Sequence, residues 1–304
     1  MYVTRLFRKP ARILSTGNKQ FSVPRMIIIA DSGSTKTNWR MVDSDKNITA
    51  CTTGGINPFQ VGLDEVVHLI NTEFSLPRTG IVKIWFYGAG CAFPDKNKLI
   101  ADALSACFGA PEIHVNSDLL AAAHALCGRR PGIACIMGTG SNSCYYDGKD
   151  IMQHVSPLGY VLGDEGSGNH LGRKLLSDIL KNQLPESIRQ AFFDTYRVTA
   201  GDILDHVYRQ PFPNRYLAQY AQFVSANIGY PEMQSLACDC FREFFRRNVI
   251  QYELARQLPV HLTGGVAFHF SELIRQTATG FGLTVGNITQ EPMAGLIEYH
   301  VNEQ

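Results

Sequence analysis

The sequence predicts a duplicated α/β fold: two mixed five-stranded sheets flanked by helices, with a cleft between the halves. Three observations predict it. The order strand, strand, strand, helix, strand, helix, strand, helix runs twice along the chain. A short turn of glycine and hydroxyl residues sits between the first and second strands of each copy. The chain has 304 residues, 45% hydrophobic and 18% charged, enough for about two domains of roughly 150 residues, each with its own core.

In the first half, Met26–Ala30, Thr37–Val42 and Asn47–Thr52 read as strands joined by short turns. Gly33 and Asp43-Ser44-Asp45 supply the turn chemistry. A helix is expected over Leu63–Phe74, with Leu63, Val66, Val67 and Ile70 on one face. A strand at Ile81–Tyr87, a helix at Lys96–Cys107, a strand at Glu112–Val115 and a helix from Ser117 complete the unit.

The order restarts after Gly128-Arg129-Arg130-Pro131-Gly132. Ile133–Met137, Asn142–Tyr146 and Asp150–His154 are again three strands. Helices follow at Gly168–Leu180, Pro185–Tyr196, Tyr216–Ile228 and Glu232–Leu258. The last of these is amphipathic, with Met233, Leu236, Cys240, Phe244 and Val249 near one stripe. Phe241, Phe244 and Phe245 read as core. A strand at Val260–Thr263, a helix at Val266–Thr277, a strand at Gly282–Val285 and a helix from Pro292 end the chain. The predicted division is therefore an extension over 1–25, a first domain over 26–118 and a second over 119–289. The second carries a helical insertion at about 168–258, and the terminal helix, 290–304, is expected to pack back on the first domain.

Lys+Arg 28 against Asp+Glu 27 leaves a net charge of +1, which removes the electrostatic case for nucleic acid. No apolar run approaches the ~20 residues of a membrane span. Eight cysteines, at 51, 91, 107, 127, 135, 144, 238 and 240, form no CxxC pair, so a zinc site is not expected. Reduced thiols and a cytoplasmic location are the simplest expectation. The first 25 residues carry six Arg or Lys and no acid. That pattern suits a transit peptide, or an upstream start with Met26 as the working N-terminus; the second is preferred.

The strongest chemical signal is Asp31-Ser32-Gly33-Ser34-Thr35-Lys36-Thr37, where an apolar strand runs into a small polar turn. Small residues let backbone N–H groups approach a phosphate, hydroxyls and Lys36 add contacts, and Asp31 can hold Mg²⁺ through water. A Walker loop is absent, and an ordinary hairpin is the alternative. The second copy, Gly138-Thr139-Gly140-Ser141-Asn142, argues against turns alone. A third loop, Gly264-Gly265-Val266, follows a strand and opens a helix, allowing close approach of a flat ring or a phosphate.

Together the three loops resemble the phosphate-1, phosphate-2 and adenosine motifs of the superfamily of sugar kinases, actin and the seventy-kilodalton chaperones. With Gly163-Asp164-Glu165-Gly166-Ser167, they look like the BadF/BadG/BcrA/BcrD-type ATPase family, which includes N-acetylglucosamine kinase. The resemblance runs from about Met26 to the C-terminus and departs at Ser32, where the family usually has Gly. It implies duplicated ribonuclease H-like (actin-like ATPase) domains and ATP with Mg²⁺. It further implies phosphate contacts from Ser32–Lys36 and Gly138–Ser141, and adenosine contacts from Gly264, Gly265 and Val266. Asp118, in Ser117-Asp118-Leu119-Leu120, matches the catalytic Asp, and by position it is also a candidate helix cap. Asp164 would contact sugar hydroxyls or cap a helix. Asn57 would bind the amino sugar or form an Asn-Pro turn.

Three functions compete: a kinase of an N-acetylated hexosamine, an iron–sulfur ATPase activator of a dehydratase, and a non-enzymatic nucleotide-dependent regulator. N-acetylglucosamine is the first substrate expected and N-acetylmuramic acid the second. Cys135, three residues before Gly138, has the activator-like spacing, but no second cysteine follows at the expected site. The expected partners are an amino sugar and ATP, with a homodimer as the assembly to test.

Overall fold

The structure, a computed structural model, describes residues 25–33, 35–109 and 111–301. Ser34, the predicted extension up to residue 24, and residues 302–304 of the predicted terminal helix lie outside the described residues.

β-Branched and aromatic residues dominate the first sheet. It comprises β1 (Met26–Ser32), β2 (Lys36–Val42), β3 (Ile48–Gly54), β4 (Ile81–Gly88) and β5 (Glu112–Ser117), in the order β3-β2-β1-β4-β5. β1 pairs antiparallel with β2 and parallel with β4. Crossover helices α1 (Leu63–Glu73) and α2 (Pro94–Phe108) cover one face. There Trp39 sits edge-on to Phe74, with ring centroids 5.4 Å apart, and packs on Phe86 and Phe108. On α1, Val66 and Ile70 are buried, whereas Leu63, predicted on the same face, is exposed in the first turn.

The second sheet repeats the first. β6 (Gly132–Met137), β7 (Ser141–Tyr146), β8 (Ile151–Val155), β9 (Val260–Thr263) and β10 (Val285–Thr289) lie in the order β10-β9-β6-β7-β8. Helix α3 (Asp118–Cys127) stands between the sheets. Ala121 meets Ile29 and Tyr87 of the first, while Leu119 and Ala123 meet Ala134, Cys144 and Tyr146 of the second. The last helix, α13 (Met293–Val301), sets Met293 and Leu296 into the Ile29–Tyr87–Ala121 cluster.

Between β8 and β9 lie α4 (Gly159–Leu162), α5 (Gly168–Leu180), α6 (Glu186–Tyr196), α7 (Ala200–Tyr208), α8 (Pro213–Ala218), α9 (Ala221–Ala226) and α10 (Pro231–Arg247). Several of these differ from the periodicity reading. The helix expected over Tyr216–Ile228 is two, because the buried Tyr220 ring is locked against Phe192 and its hydroxyl meets that of Tyr216 at 2.8 Å. The backbone tightens there to a three-residue step, Tyr220 N–H to Leu217 C=O. The helix expected to reach Leu258 stops at Arg247. Asn248 turns its amide to Glu165, and the chain then buries Tyr252, whose hydroxyl donates to Ser143 C=O at 2.8 Å. The helix expected over Val266–Thr277 is α11 (Gly265–His269) followed by α12 (Ser271–Thr279), divided at buried Phe270. The last strand starts at Val285 rather than Gly282, because Gly282 turns the chain with φ 69°.

Candidate active site

Both Gly/Ser/Thr turns open into one cleft of about 500 Å³ between the sheets. From the first half it is lined by Asp31, Ser32, Gly33, Thr35 and Lys36. From the second it is lined by Gly138, Thr139, Gly140 and Ser141. Asp118 and Gly264 line the same cleft. A neighbouring cavity of about 720 Å³ shares Gly138 and Thr139 and is lined by Gly265 and Val266, with Ala218, Ala221 and Phe270 supplying apolar walls. A cleft bearing charged side chains, sharing Gly138 and Thr139 with a cavity walled by Ala218, Ala221 and Phe270, suits a phosphate chain attached to a flat ring.

The turns are built by local bonding. In the first, Gly33 N–H donates to Lys36 C=O at 3.0 Å, closing the hairpin. Ser32 is fully buried: its hydroxyl meets Thr37 Oγ1 at 2.7 Å and accepts from Ile56 N–H at 3.0 Å. That residue ties the turn to the loop carrying Asn57. Lys36 Nζ reaches Glu291, just before α13, at 2.7 Å. In the second turn, Gly138 and Thr139 C=O accept from Gly168 N–H (2.8 Å) and Asn169 N–H (3.0 Å), the first amides of α5. Gly264 holds φ 122°, and a Cβ there would collide with Met137 C=O, so only glycine lets the third loop close on the end of β6.

Asp118 is the first residue of α3, and the helix is capped by Ser117, whose Oγ accepts from Leu120 N–H at 3.2 Å. Ser117 thus takes the capping role, and Asp118 lines the cleft. Burial raises its pKa, against the lowering effect of the Leu119 and Asp118 amides. Asp31, at the end of β1, is raised to about 7, first by burial and then by Asp118 and Glu291; Lys36 opposes the shift.

Two predicted sugar contacts are not brought into this cleft. The Asp164 carboxylate is buried and accepts from Asn169 Nδ2 at 2.8 Å and Ser141 N–H at 3.3 Å. It holds the second turn from behind and does not cap α5, which Ser167 caps through His170 N–H. Asn57 is half-buried, and its Oδ1 accepts from Phe59 N–H at 3.0 Å, an Asx turn across the Asn-Pro step. Its neighbour Ile56 is bonded to Ser32, so its loop borders the cleft wall. Sequence reasoning missed Asn214, Arg215 and Glu291, which all line the cleft. No local motif marks them, since insertion and tail reach the site only through the fold.

All eight cysteines are free. Cys135, the residue on which the activator reading leans, is fully buried within β6, whereas a cluster shared between chains needs thiols at a surface. Among the described residues no helix is long and apolar enough to cross a membrane.

No protein-family model and no curated protein matches the chain. Solved structures do. The Putative N-acetylglucosamine Kinase from Porphyromonas gingivalis is 44% identical, with a TM-score of 0.88, covering 91% of this chain and 99% of its own. A protein of the same name from Chromobacterium violaceum is 20% identical, with a TM-score of 0.70 and the same coverage. A non-polymerising MamK mutant bound to AMPPNP is 12% identical, with a TM-score of 0.51 over 93% of this chain and 99% of that one. The last two show the fold alone, the two-domain actin-like ATPase arrangement.

Proposed function

The chain belongs to the family of the Putative N-acetylglucosamine Kinase of Porphyromonas gingivalis, and on that premise we propose that it is an ATP-dependent kinase phosphorylating the primary hydroxyl of N-acetylglucosamine. The observation that carries the reading is the shared cleft: the turns of both halves line it together with Asp118, the residue after the helix cap Ser117. Within the superfamily, the turns and the Gly163–Ser167 segment support the BadF/BadG/BcrA/BcrD-type branch. The boundaries 26–118 and 119–289 are our division of the two domains.

In this reading the sugar hydroxyl oxygen attacks the γ-phosphorus of ATP, its proton passes to Asp118, and the bond to the β-phosphate oxygen breaks to release ADP. Backbone amides of the two turns would hold the phosphates, and Gly264, Gly265 and Val266 would border the adenosine. The raised pKa of Asp118 suits a base that accepts a proton and later releases it. Among the described residues no three metal-ligating side chains converge, and the carboxylate chemistry that suits a hard divalent cation rests on Asp31, which Asp118 and Glu291 both repel. Asp31 would hold Mg²⁺, which when bound neutralises phosphate charge. Asn57 would read the amino sugar if its Asx turn opens.

An ADP-release screen across amino sugars and plain hexoses tests the assignment. N-acetylglucosamine is expected to exceed glucose by about 10-fold or more, the scale set by unpaired polar groups in a sugar site. Equal rates on glucose would remove the amino-sugar assignment. Asp118→Asn is expected to lower kcat at least ~100-fold with sugar affinity unchanged; full activity would place the base elsewhere.

A further inference from the structure

We propose that Arg215, delivered by the helical insertion, contacts the phosphoryl group in flight and is a catalytic residue of this site; the proposal rests on the kinase reading above. Among the described residues lining the cleft, Lys36 and Arg215 are the two cations, set among Asp31, Asp118 and Glu291. Lys36 is engaged by Glu291 from the far side of the chain. Arg215, on α8 of the insertion, lines the same cleft.

Its position is fixed by the same framework that fixes the second turn. The first amides of α5 hold Gly138 and Thr139. The next turn of α5 presents Gly172, where a Cβ would collide with Leu217 C=O of α8, so the two helices pack backbone to backbone. The phosphate turn, α5 and α8 thus form one connected body, and Arg215 rides on it.

The entry to α8 is also strained. Phe212 holds φ 59° immediately before Pro213, a left-handed conformation that a bulky residue adopts only under constraint and that is disfavoured further before proline. That turn lays the Phe212 ring under the guanidinium, 4.3 Å from carbon to centroid. Stacking uses the face of the guanidinium and orients the N–H donors in its plane, the geometry that recognises phosphate oxygens. A strained loop that pre-orients a cation over a phosphate cleft is what charge stabilisation during transfer requires. The chemistry is the transfer of the γ-phosphoryl group from ATP to the sugar hydroxyl: the donated N–H bonds strengthen as charge shifts to the β–γ bridging oxygen and ADP leaves.

The test compares wild type, Arg215→Met and Arg215→Lys on N-acetylglucosamine, a neutral sugar. Arg215→Met is expected to lose about 10³-fold in kcat, the lower scale for such an arginine, with KM for the sugar unchanged. Arg215→Lys is expected to recover part of that loss, because an ammonium supplies charge without the fork. Affinity for ADP with aluminium fluoride, which mimics the phosphoryl in flight, should fall in step with kcat, while ADP alone binds as in wild type. Arg215→Met turnover within about threefold of wild type, or equal losses of ADP and ADP–aluminium fluoride binding, overturns the proposal. So does an effect confined to N-acetylmuramic acid, which would make Arg215 a carboxylate reader. Wild-type protein that turns over no sugar would sink the kinase reading itself.

Discussion

The two halves present the same short turn and hold it in different ways. The second turn is braced from behind: two carbonyls are bound by the first amides of α5, Ser141 N–H is held by Asp164, and Ser141 is buried. The first turn closes mainly on itself and on Ser32, and its Thr35 and Lys36 are exposed. Its long-range ties include Ile56 N–H to Ser32 Oγ at 3.0 Å, Gly55 N–H to Thr35 C=O at 3.1 Å, and the ion pair from Lys36 to Glu291, between exposed side chains. Duplication therefore yields one stiff jaw and one adjustable jaw. Segments with few buried contacts open at the lowest free energy, so adjustment to ligand belongs to the first half.

Breaking the brace has the largest effect on stability. Asp164→Ala leaves Ser141 N–H and the Asn169 amide without their acceptor in a buried site. The expected cost is about 1–3 kcal/mol, with a rise in KM for ATP. Thermal melts and ATP titration check it. An unchanged melting temperature together with an unchanged KM would show that the second turn needs no brace.

The next prediction sharpens the contrast through pH. Asp31, on the adjustable side, has its pKa raised from 3.8 to about 7 by burial and by its carboxylate neighbours. Its folded-state pKa lies above the unfolded value, so its contribution to stability is full below 3.8 and is lost as pH rises through about 7. Asp31→Asn should therefore match wild type in melting temperature at the acid end of that window and exceed it above about 7. Saturating Mg²⁺ with ATP should narrow the gap by stabilising only the carboxylate form. A difference that stays flat with pH would remove Asp31 from the charged cluster. The same variant is expected to lose Mg²⁺-dependent turnover.

Much of the framework was legible because it is local. The apolar strand into Asp31, the repeat at Gly138–Ser141 and the crossover helices each carry their period and turn residues in sequence. What failed was tertiary. Tyr220, Asn248 and Phe270 interrupt helices because their side chains are claimed by distant partners or by the core. Helix α7 was missed although Thr199 and Asp202 form a capping box that sequence could have flagged. At the site, the motif singled out Asp118, and the structure adds that Asp118 lines the cleft while Ser117 does the capping. Asp164 carried an equally suggestive motif, yet its carboxylate is spent on the second turn, a role visible only once Ser141 and Asn169 are seen beside it. Arg215 and Glu291 carried no motif, since each lies far along the chain from the turns it faces.

The smallest effect expected is at the tether of the adjustable jaw. Glu291→Gln removes the partner of Lys36 but leaves a side chain of the same shape. Both groups are exposed, and such pairs contribute about 0–1 kcal/mol, so the melting temperature should barely move. Binding should respond more clearly. In the kinase reading a phosphate chain would compete with Glu291 for Lys36 and be repelled by it, as Asp31 is. Removing it should lower KM for ATP by about two- to fivefold at low salt, the equivalent of that same interaction energy. The gain should fade as salt rises, because exposed charges are screened within about 10 Å at 0.1 M. The Asp31 transition should also move to lower pH, since one of the carboxylates raising it has gone. An unchanged KM at low salt would show that Lys36 serves the hairpin alone, and the adjustable jaw would then be set by Ser32 and its bond to Ile56.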